Sequence, residues 1–181
     1  MKFLKNKTNA MLICFIIVII GLFAGSLRCI NLEKSRARKY FSSAVKLNAV
    51  PLVKDLKTKC GHIENLITLY KKYSSDTKAT ALERSLKDLK AALNSPQKAY
   101  KFNVEVSGNA LIIENAIDAL TLSSNDRDAF TRLKQELKSI DDIISRSNYN
   151  SVAEEANAKI NSLPIGFFKS LMFIRNVEYF K

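Results

Sequence analysis

The sequence predicts an all-α membrane protein in which an N-terminal transmembrane helix precedes an antiparallel up-and-down four-helix bundle with long first and last helices. Three observations support this prediction. Residues 8–27 contain no charged side chain. Beyond them, apolar residues recur at spacings of three and four, the periodicity of helices that bury one face. The chain has only 5 Gly and 3 Pro, so few positions interrupt these helices.

The uncharged segment, residues 8–27, is long enough to cross a membrane. Twenty helical residues extend about 30 Å, which is the thickness of a bilayer core, and Arg28 ends the run. A cleaved signal peptide is the alternative, because Ala24-Gly25-Ser26 resembles a small-residue cleavage site. The run is longer than a usual signal core, so we predict that residues 1–29 form an uncleaved, single-pass anchor.

Basic residues flank the segment on both sides. Lys2, Lys5 and Lys7 precede it, and five basic residues follow it: Arg28, Lys34, Arg36, Arg38 and Lys39. The count of five to three favours a cytoplasmic domain, whereas a signal-anchor interpretation places the domain outside, so the sequence leaves the side open. We expect Lys34, Arg36, Arg38 and Lys39 to contact lipid headgroups.

Residues 30–163 contain the apolar seams of the bundle. The first seam comprises Ala49, Val53, Leu56, Cys60, Ile63, Ile67 and Tyr70, and it extends upstream toward Phe41. Pro51 should kink or split this helix, because proline lacks the N–H that a helix interior requires. The polar run Ser74-Ser75-Asp76 predicts the first turn.

Three further helices follow. The second has Ala79, Leu82, Leu86, Leu89 and Leu93 on one face; the third has Val106, Ala110, Ile113, Ile117 and Leu120; and the fourth has Phe130, Leu133, Leu137, Ile140 and Ile144. Ser95-Pro96 marks the start of the third, since proline fits the first helical position. The apolar phase slips near Ser147 and then resumes. Pro164 and Gly166 end the last helix.

The C-terminal tail, residues 164–181, mixes aromatic and basic side chains. Its candidate membrane-interface residues are Phe167, Phe168, Lys169, Phe173, Tyr179 and Phe180. This composition suits the boundary between headgroups and acyl chains. The tail could equally fold back to cap the bundle core, or dock on a partner, and the sequence leaves these alternatives open.

The sequence offers no arrangement of residues suited to catalysis, and we do not expect an enzyme, a cofactor or a metal site. His62 is the only histidine, and no cysteine near Cys60 provides metal-ligand spacing. Three polar residues of the bundle are candidates for specific roles. We expect Asn65 to be buried and to fix helix register, and Tyr149 to form a hydrogen bond across the bundle; Asn150 is the third.

Several motifs lie near the C-terminal end of the chain: Tyr149-Asn150-Ser151-Val152, the run from Asn157 to Pro164, and the closing Gly166-Phe167-Phe168 and Glu178-Tyr179-Phe180. In these motifs the chain resembles the LemA family of bacterial membrane proteins. The run from Asp55 to Tyr73 also resembles the family, although Thr58-Lys59 replaces its double arginine and Glu64 its proline. The resemblance implies a membrane-anchored antiparallel helical bundle with no established enzymatic activity, and it transfers no catalytic residue.

These observations favour a membrane-tethered scaffold or interaction protein. The expected partners are membrane lipid, through the anchor and anionic headgroups, and an unidentified protein, and a homo-oligomer is possible. The net charge of +12 is scattered and no nucleic-acid-reading motif is present, so we do not expect nucleic acid. A ligand-sensing bundle and a membrane-surface binding or remodelling protein are the alternatives.

Overall fold

A computed structural model describes residues 7–42 and 50–181, and every regular element in these ranges is a helix. The all-α prediction is therefore confirmed for the described part of the chain. The helices are α1 (Lys7–Ser42), α2 (Leu52–Tyr73), α3 (Lys78–Ala92), α4 (Pro96–Asp118), α5 (Ser124–Ser145), α6 (Tyr149–Asn161) and α7 (Ile165–Leu171). Lys2, Lys5 and Ala49, which entered the predictions above, lie outside the described residues.

The chain divides into two compact units. Unit 1 comprises Met1–Ala37 and Val152–Val177, and unit 2 comprises Arg38–Ser151 and Glu178–Lys181.

Unit 2 contains the four central helices. Helix α2 packs against α3, α4 and α5, and α3 packs against α4. The predicted seams supply most of the core: their fully buried residues include Leu56, Ile63, Leu82, Leu89, Val106, Ile113 and Ile117, and Leu66, which was not in the predicted seam, is also fully buried. Burial of these faces is the main favourable term for such helices, because isolated helices of this length are marginal in water.

The predicted long first helix is interrupted. Helix α1 ends at Ser42, and α2 begins at Leu52 after Pro51, which has the extended backbone of a helix-capping residue (φ −65°, ψ 138°). The Lys54 N–H bonds to the Pro51 carbonyl at 2.8 Å, so the first turn of α2 starts at the proline. Pro51 thus splits the helix, because it has no N–H to continue one from upstream.

The predicted long last helix is also divided. Helix α5 ends at Ser145, and the Ser147 hydroxyl accepts a hydrogen bond from the Tyr149 N–H at 3.3 Å where α6 begins. Serine favours such local bonds over helix continuation. The slip in apolar phase near Ser147 therefore marks a break between two helices, and the prediction of one continuous helix was wrong.

Unit 1 combines part of α1 with part of α6 and with α7. One face of α1 is buried at Ser26, Ile30 and Ala37. Two ion pairs join α1 to α6: Arg36 to Glu155 at 2.9 Å, and Lys159 to Glu33 at 2.8 Å. Within the described residues, α1 is long and apolar enough to cross a membrane, and only 6% of its most apolar window is buried.

Helix α7 follows α6 after a tight turn. The Gly166 N–H donates to the Ser162 carbonyl at 2.7 Å. A β-carbon at Gly166 would lie 2.5 Å from the carbonyl oxygen of Asn161. Only glycine permits this close approach of two backbone segments, so Gly166 determines how closely α7 follows α6.

Candidate functional site

The aromatic residues of α7 have two different environments. Phe168 is buried, and its ring meets that of Phe23 edge to face at a centroid distance of 5.6 Å. Phe167 and Leu171, one helical turn apart, are exposed. Helix α7 therefore attaches to the apolar part of α1 through Phe168 and exposes Phe167 and Leu171. Phe168 contacts protein, and the membrane-interface candidates of α7 that remain are Phe167 and Lys169.

The second residue after α7 has an unusual backbone. Phe173 has a φ of 55°, and its side chain is 92% exposed. The Phe173 N–H bonds to the Ser170 carbonyl, and the Ile174 N–H bonds to the Lys169 carbonyl. This pair of bonds is the Schellman motif, in which glycine usually occupies the left-handed position. A bulky residue is rare there, because its β-carbon crowds the backbone.

Basic residues of unit 1 lie near α7. The Lys169 ammonium donates to the side-chain carbonyls of Asn161 and Asn176, which are neutral and leave its charge uncompensated. Burial lowers the pKa of Lys34, and the positive charge of Lys169 lowers it further. Two predicted membrane-interface residues, Lys34 and Lys169, therefore lie close enough for their charges to repel each other. Arg36 instead pairs with Glu155.

The basic cluster that follows the apolar segment divides between the units. Arg38 and Lys39 belong to unit 2, where both are exposed. Lys34 and Arg36 belong to unit 1, where Lys34 lies near Lys169.

The end of the tail is held by side chains of unit 2. Asn150 forms two hydrogen bonds of 2.8 Å with the backbone of Phe180, donating to its carbonyl and accepting from its N–H. The Tyr149 hydroxyl donates to the Glu178 carbonyl at 2.7 Å. Ser95 donates to the Glu178 carboxylate at 2.8 Å. These bonds hold the last residues of the chain against unit 2, to which they belong.

Burial of the tail end changes two predictions. Phe180 is buried, with its ring 5.3 Å from that of Tyr100, so it does not face lipid as we predicted. Tyr149 binds the tail instead of bridging the bundle helices, and burial raises the pKa of its phenol, with the nearby Glu178 charge as a second cause. Tyr179 is half-buried.

Asn157, which was not among the predicted functional residues, also binds the tail. In unit 1 this side chain donates to the Val177 carbonyl at 3.0 Å and accepts from the Val177 N–H at 2.8 Å. Asn150 makes the same two bonds with Phe180 in unit 2. The signal was available, since Asn150 and Asn157 are seven residues apart and therefore share one helix face.

Unit 2 contains a buried polar cluster that sequence reasoning also missed. The Lys59 side chain is 1% exposed, and its ammonium donates to Asn103 at 2.8 Å, to Ser107 at 2.6 Å and to Asp141 at 2.5 Å. All three ammonium protons are thereby paired, as burial of a charge requires. Asn65, which we expected to be the buried polar residue, is exposed, so that prediction was wrong.

The cluster lines one wall of an open cleft of about 460 Å³. Glu114 and Lys134 are among the other lining residues. Burial raises the pKa of Glu114, while the charge of Lys134 opposes that shift. The cleft therefore has both charge signs and an apolar floor that includes Ile63 and Leu137.

The cysteine and histidine of α2 have structural environments. Cys60 is buried, and burial raises the pKa of its thiol, which disfavours the reactive thiolate. His62 lies 3.2 Å from a carboxylate oxygen of Glu136. Among residues 7–42 and 50–181, no group of three or more His, Cys, Asp or Glu side chains is placed to hold a metal ion.

In the part of the chain that the structure describes, the fold is helical, and one helix is long and apolar enough to cross a membrane. Comparisons with protein-family models, with curated proteins and with solved structures each find no match.

Proposed function

We propose that this chain is a single-pass membrane protein of the LemA type whose helical domain is a non-enzymatic scaffold for other proteins. The observation that carries the proposal is that residues near the end of the apolar segment pack against the rest of unit 1. Phe23 packs on Phe168, and Ser26 is 3% exposed. Both residues flank the small-residue site Ala24-Gly25, so cleavage there would remove or expose packed side chains. An uncleaved anchor follows from this interpretation.

The family proposal is supported by contacts among the residues that carry the resemblance. Tyr149 and Asn150 bind the backbone of Glu178 and Phe180 in unit 2. Asn157 binds the backbone of Val177 in unit 1. A shared structural task for these residue types explains why they would occur together at these spacings. The antiparallel four-helix bundle belongs to the same proposal, and it is supported by the contacts of α2 with α3, α4 and α5 and by their short connections.

The scaffold proposal is supported by an exposed apolar stripe on α4. Tyr100, Val104 and Leu111 are all exposed, and their spacings of four and seven place them on one helix face. Gly108 lies on the same face, where an added β-carbon would meet nothing within 4 Å. A glycine inside a helix lowers stability, and Gly108 makes no close contact in this chain that requires a glycine. Its missing side chain would allow the close approach of a partner helix.

Two measurements test the anchor and the scaffold separately. Intact mass analysis of the protein from carbonate-washed membranes should find residues 1–29 retained; a mature form beginning after residue 24, 25 or 26 would refute the anchor. A photo-crosslinking residue at Leu111 should give discrete adducts that recur between preparations. The same residue at Glu105, which is exposed beside the stripe, is the matched control. Equal labelling from both positions would refute the stripe as an interaction surface.

The side of the membrane is tested with a single cysteine. Ser124, exposed at the start of α5, is replaced by cysteine in a chain whose three native cysteines are serine. The charge count predicts that a membrane-impermeant maleimide labels this cysteine only after lysis. Labelling in intact cells would place the domain outside and contradict the charge count.

The cleft beside Lys59 favours ligand sensing as a second candidate function. Its mixture of ammonium, carboxylate and apolar groups suits a small amphipathic molecule with its own charge. A screen of free amino acids and short carboxylic acids should then raise the melting temperature of the chain, and Asp141→Asn should remove the shift. A screen without any shift in the unmodified chain would count against this candidate.

A further inference from the structure

Helix α7 and Phe173 leave an apolar surface uncovered in unit 1. Leu163, Phe167, Leu171 and Phe173 are exposed by 85%, 61%, 64% and 92%. Side chains of this kind are common singly on protein surfaces, but a contiguous group marks a contact with another phase or molecule. The four residues fall within eleven positions of the chain, and they flank the one aromatic, Phe168, that is turned toward α1.

The contact with α1 gives this surface a defined depth. Phe23 lies four residues before Leu27, the last residue of the uncharged segment, which corresponds to about 6 Å along a helix. Phe168 packs directly on Phe23. A helix held at that level beside a membrane-spanning segment lies within the roughly 5–10 Å zone in which interfacial helices embed their apolar face.

The charges of unit 1 fit the same location. Lys34 follows Leu27 by seven residues, or about 10 Å of helix, which is on the headgroup side of the apolar end. The Lys169 ammonium is bound only to neutral amide oxygens in the described contacts. Arg175 is exposed. Positive groups at this height attract the phosphates of anionic lipids, while long basic side chains leave their apolar stems in the interface.

The backbone at Phe173 adds an independent argument. The residue closes the Schellman motif in a left-handed conformation, which favours glycine, and yet its ring is almost entirely exposed. A glycine would close the same motif with less crowding, and the exposed ring adds little packing to this unit. Both are explained if the sharp end of α7 turns the ring into the acyl-chain region.

We propose that α7 and Phe173 form a second membrane contact: Phe167, Leu171 and Phe173 embed in the bilayer interface next to α1, and Lys34, Lys169 and Arg175 bind anionic phospholipid headgroups. Unit 1 is then held by a spanning helix and an interfacial helix together. This inference rests on the uncleaved anchor of the proposed function, and the experiment below separates the failure of one from the failure of the other.

Single tryptophans provide the probe, because the chain contains no native Trp. Three full-length variants, Phe173→Trp, Leu171→Trp and Phe15→Trp, are placed in nanodiscs of phosphatidylcholine mixed with phosphatidylglycerol. Part of the phosphatidylcholine is brominated, either near the glycerol end of the acyl chains or near their terminus. N-acetyltryptophanamide added to the same discs gives the emission and quenching of an aqueous indole.

We expect blue-shifted emission for Phe173→Trp and Leu171→Trp, with stronger quenching by bromine near the glycerol end than by bromine near the chain terminus. Phe15→Trp, inside the span, should be quenched by the deeper bromine. The second contact would be overturned, and the anchor left intact, if both tail variants matched the aqueous indole in emission and quenching while Phe15→Trp was still quenched. Absence of quenching at Phe15→Trp would instead refute the anchor itself.

The headgroup half of the proposal has its own control. In discs of phosphatidylcholine alone, quenching of Phe173→Trp should fall relative to the anionic mixture, since the electrostatic attraction is lost. Adding Lys34→Gln and Lys169→Gln should reduce quenching in the anionic mixture to the same level. Equal quenching in both lipids, unchanged by these substitutions, would overturn the assignment of the basic residues to anionic lipid.

Discussion

Replacement of Lys59 by methionine should lower the free energy of unfolding by about 1–3 kcal/mol. Methionine keeps the apolar stem of the lysine, so packing within α2 and its neighbours changes little. What is lost is a donor to Asn103, a residue only 8% exposed. An unsatisfied buried acceptor costs about 1–3 kcal/mol. The Asp141 side chain is 43% exposed, so water solvates the carboxylate that the substitution leaves behind.

The assay is thermal unfolding of the full chain in detergent micelles, followed by far-ultraviolet circular dichroism. For a chain of this size each kcal/mol corresponds to about 2–4 °C in melting temperature. Lys57→Met is the matched control, because Lys57 is exposed on the same helix; its effect should stay within about 0.5 kcal/mol. The double variant Lys59→Met/Asn103→Leu should recover much of the loss, since it removes the acceptor that the single variant leaves unpaired.

The reasoning is refuted if Lys59→Met melts at the temperature of the unmodified chain or above it. That result would mean that the free-energy cost of desolvating the buried ammonium equals or exceeds the stabilisation by its three hydrogen bonds. Buried ion pairs often show this balance.

Three further predictions concern pH and helix propensity. Hydrogen bonds, first from Lys72, lower the pKa of Asp126 from 3.8 to about 2. The stabilisation by the ionised carboxylate is therefore present above pH 3.8 and is lost as the pH falls toward 2. In an acid titration followed by circular dichroism, Asp126→Asn should not show this loss of stability. Burial raises the pKa of Tyr149 above 10.0, so the stabilisation by its neutral phenol is present below pH 10 and is lost only at more alkaline pH. Tyr149→Phe removes the hydrogen bond to Glu178 and should lower the free energy of unfolding by about 1 kcal/mol at pH 7. The variant should also lack the alkaline loss of stability. Gly108→Ala should raise stability by about 0.5–1 kcal/mol in thermal melts, because its β-carbon meets no atom, and it should weaken crosslinking from Leu111; unchanged crosslinking would argue against close helix approach at this glycine.

The apolar pattern of the sequence was sufficient for the helices and most of their buried faces. Spacings of three and four identified most of the residues of α2 that are buried from Val53 to Tyr70, but not Leu66 or Lys59. The same pattern contained the buried lysine: Lys59 lies three residues after Leu56 and four before Ile63. A lysine at a seam position is predicted to be exposed unless polar partners for its ammonium are known. These partners, Asn103, Ser107 and Asp141, come from distant parts of the chain, so the local pattern did not reveal them.

The helix breaks were harder to predict than the helices. Pro51 and Ser147 both gave a signal, one by its missing N–H and the other by a slip in phase. Whether such a signal bends a helix or ends it depends on the bonds available at that point. At Ser147 the helix is divided: α5 ends at Ser145, and the Ser147 hydroxyl accepts from the Tyr149 N–H where the new helix α6 begins.

The sequence by itself determined an all-helical chain with one apolar segment of membrane-spanning length, because periodicity, length and absence of charge are local properties of the chain. The tertiary structure alone decided which tail residues are covered. Phe167 and Phe168 are neighbours with similar chemistry, yet one is exposed and the other packs on Phe23. Phe173 is likewise exposed, whereas Phe180 is buried and its backbone is hydrogen-bonded to Asn150. Burial depends on contacts between residues far apart in sequence, and those contacts exist only once the chain is folded.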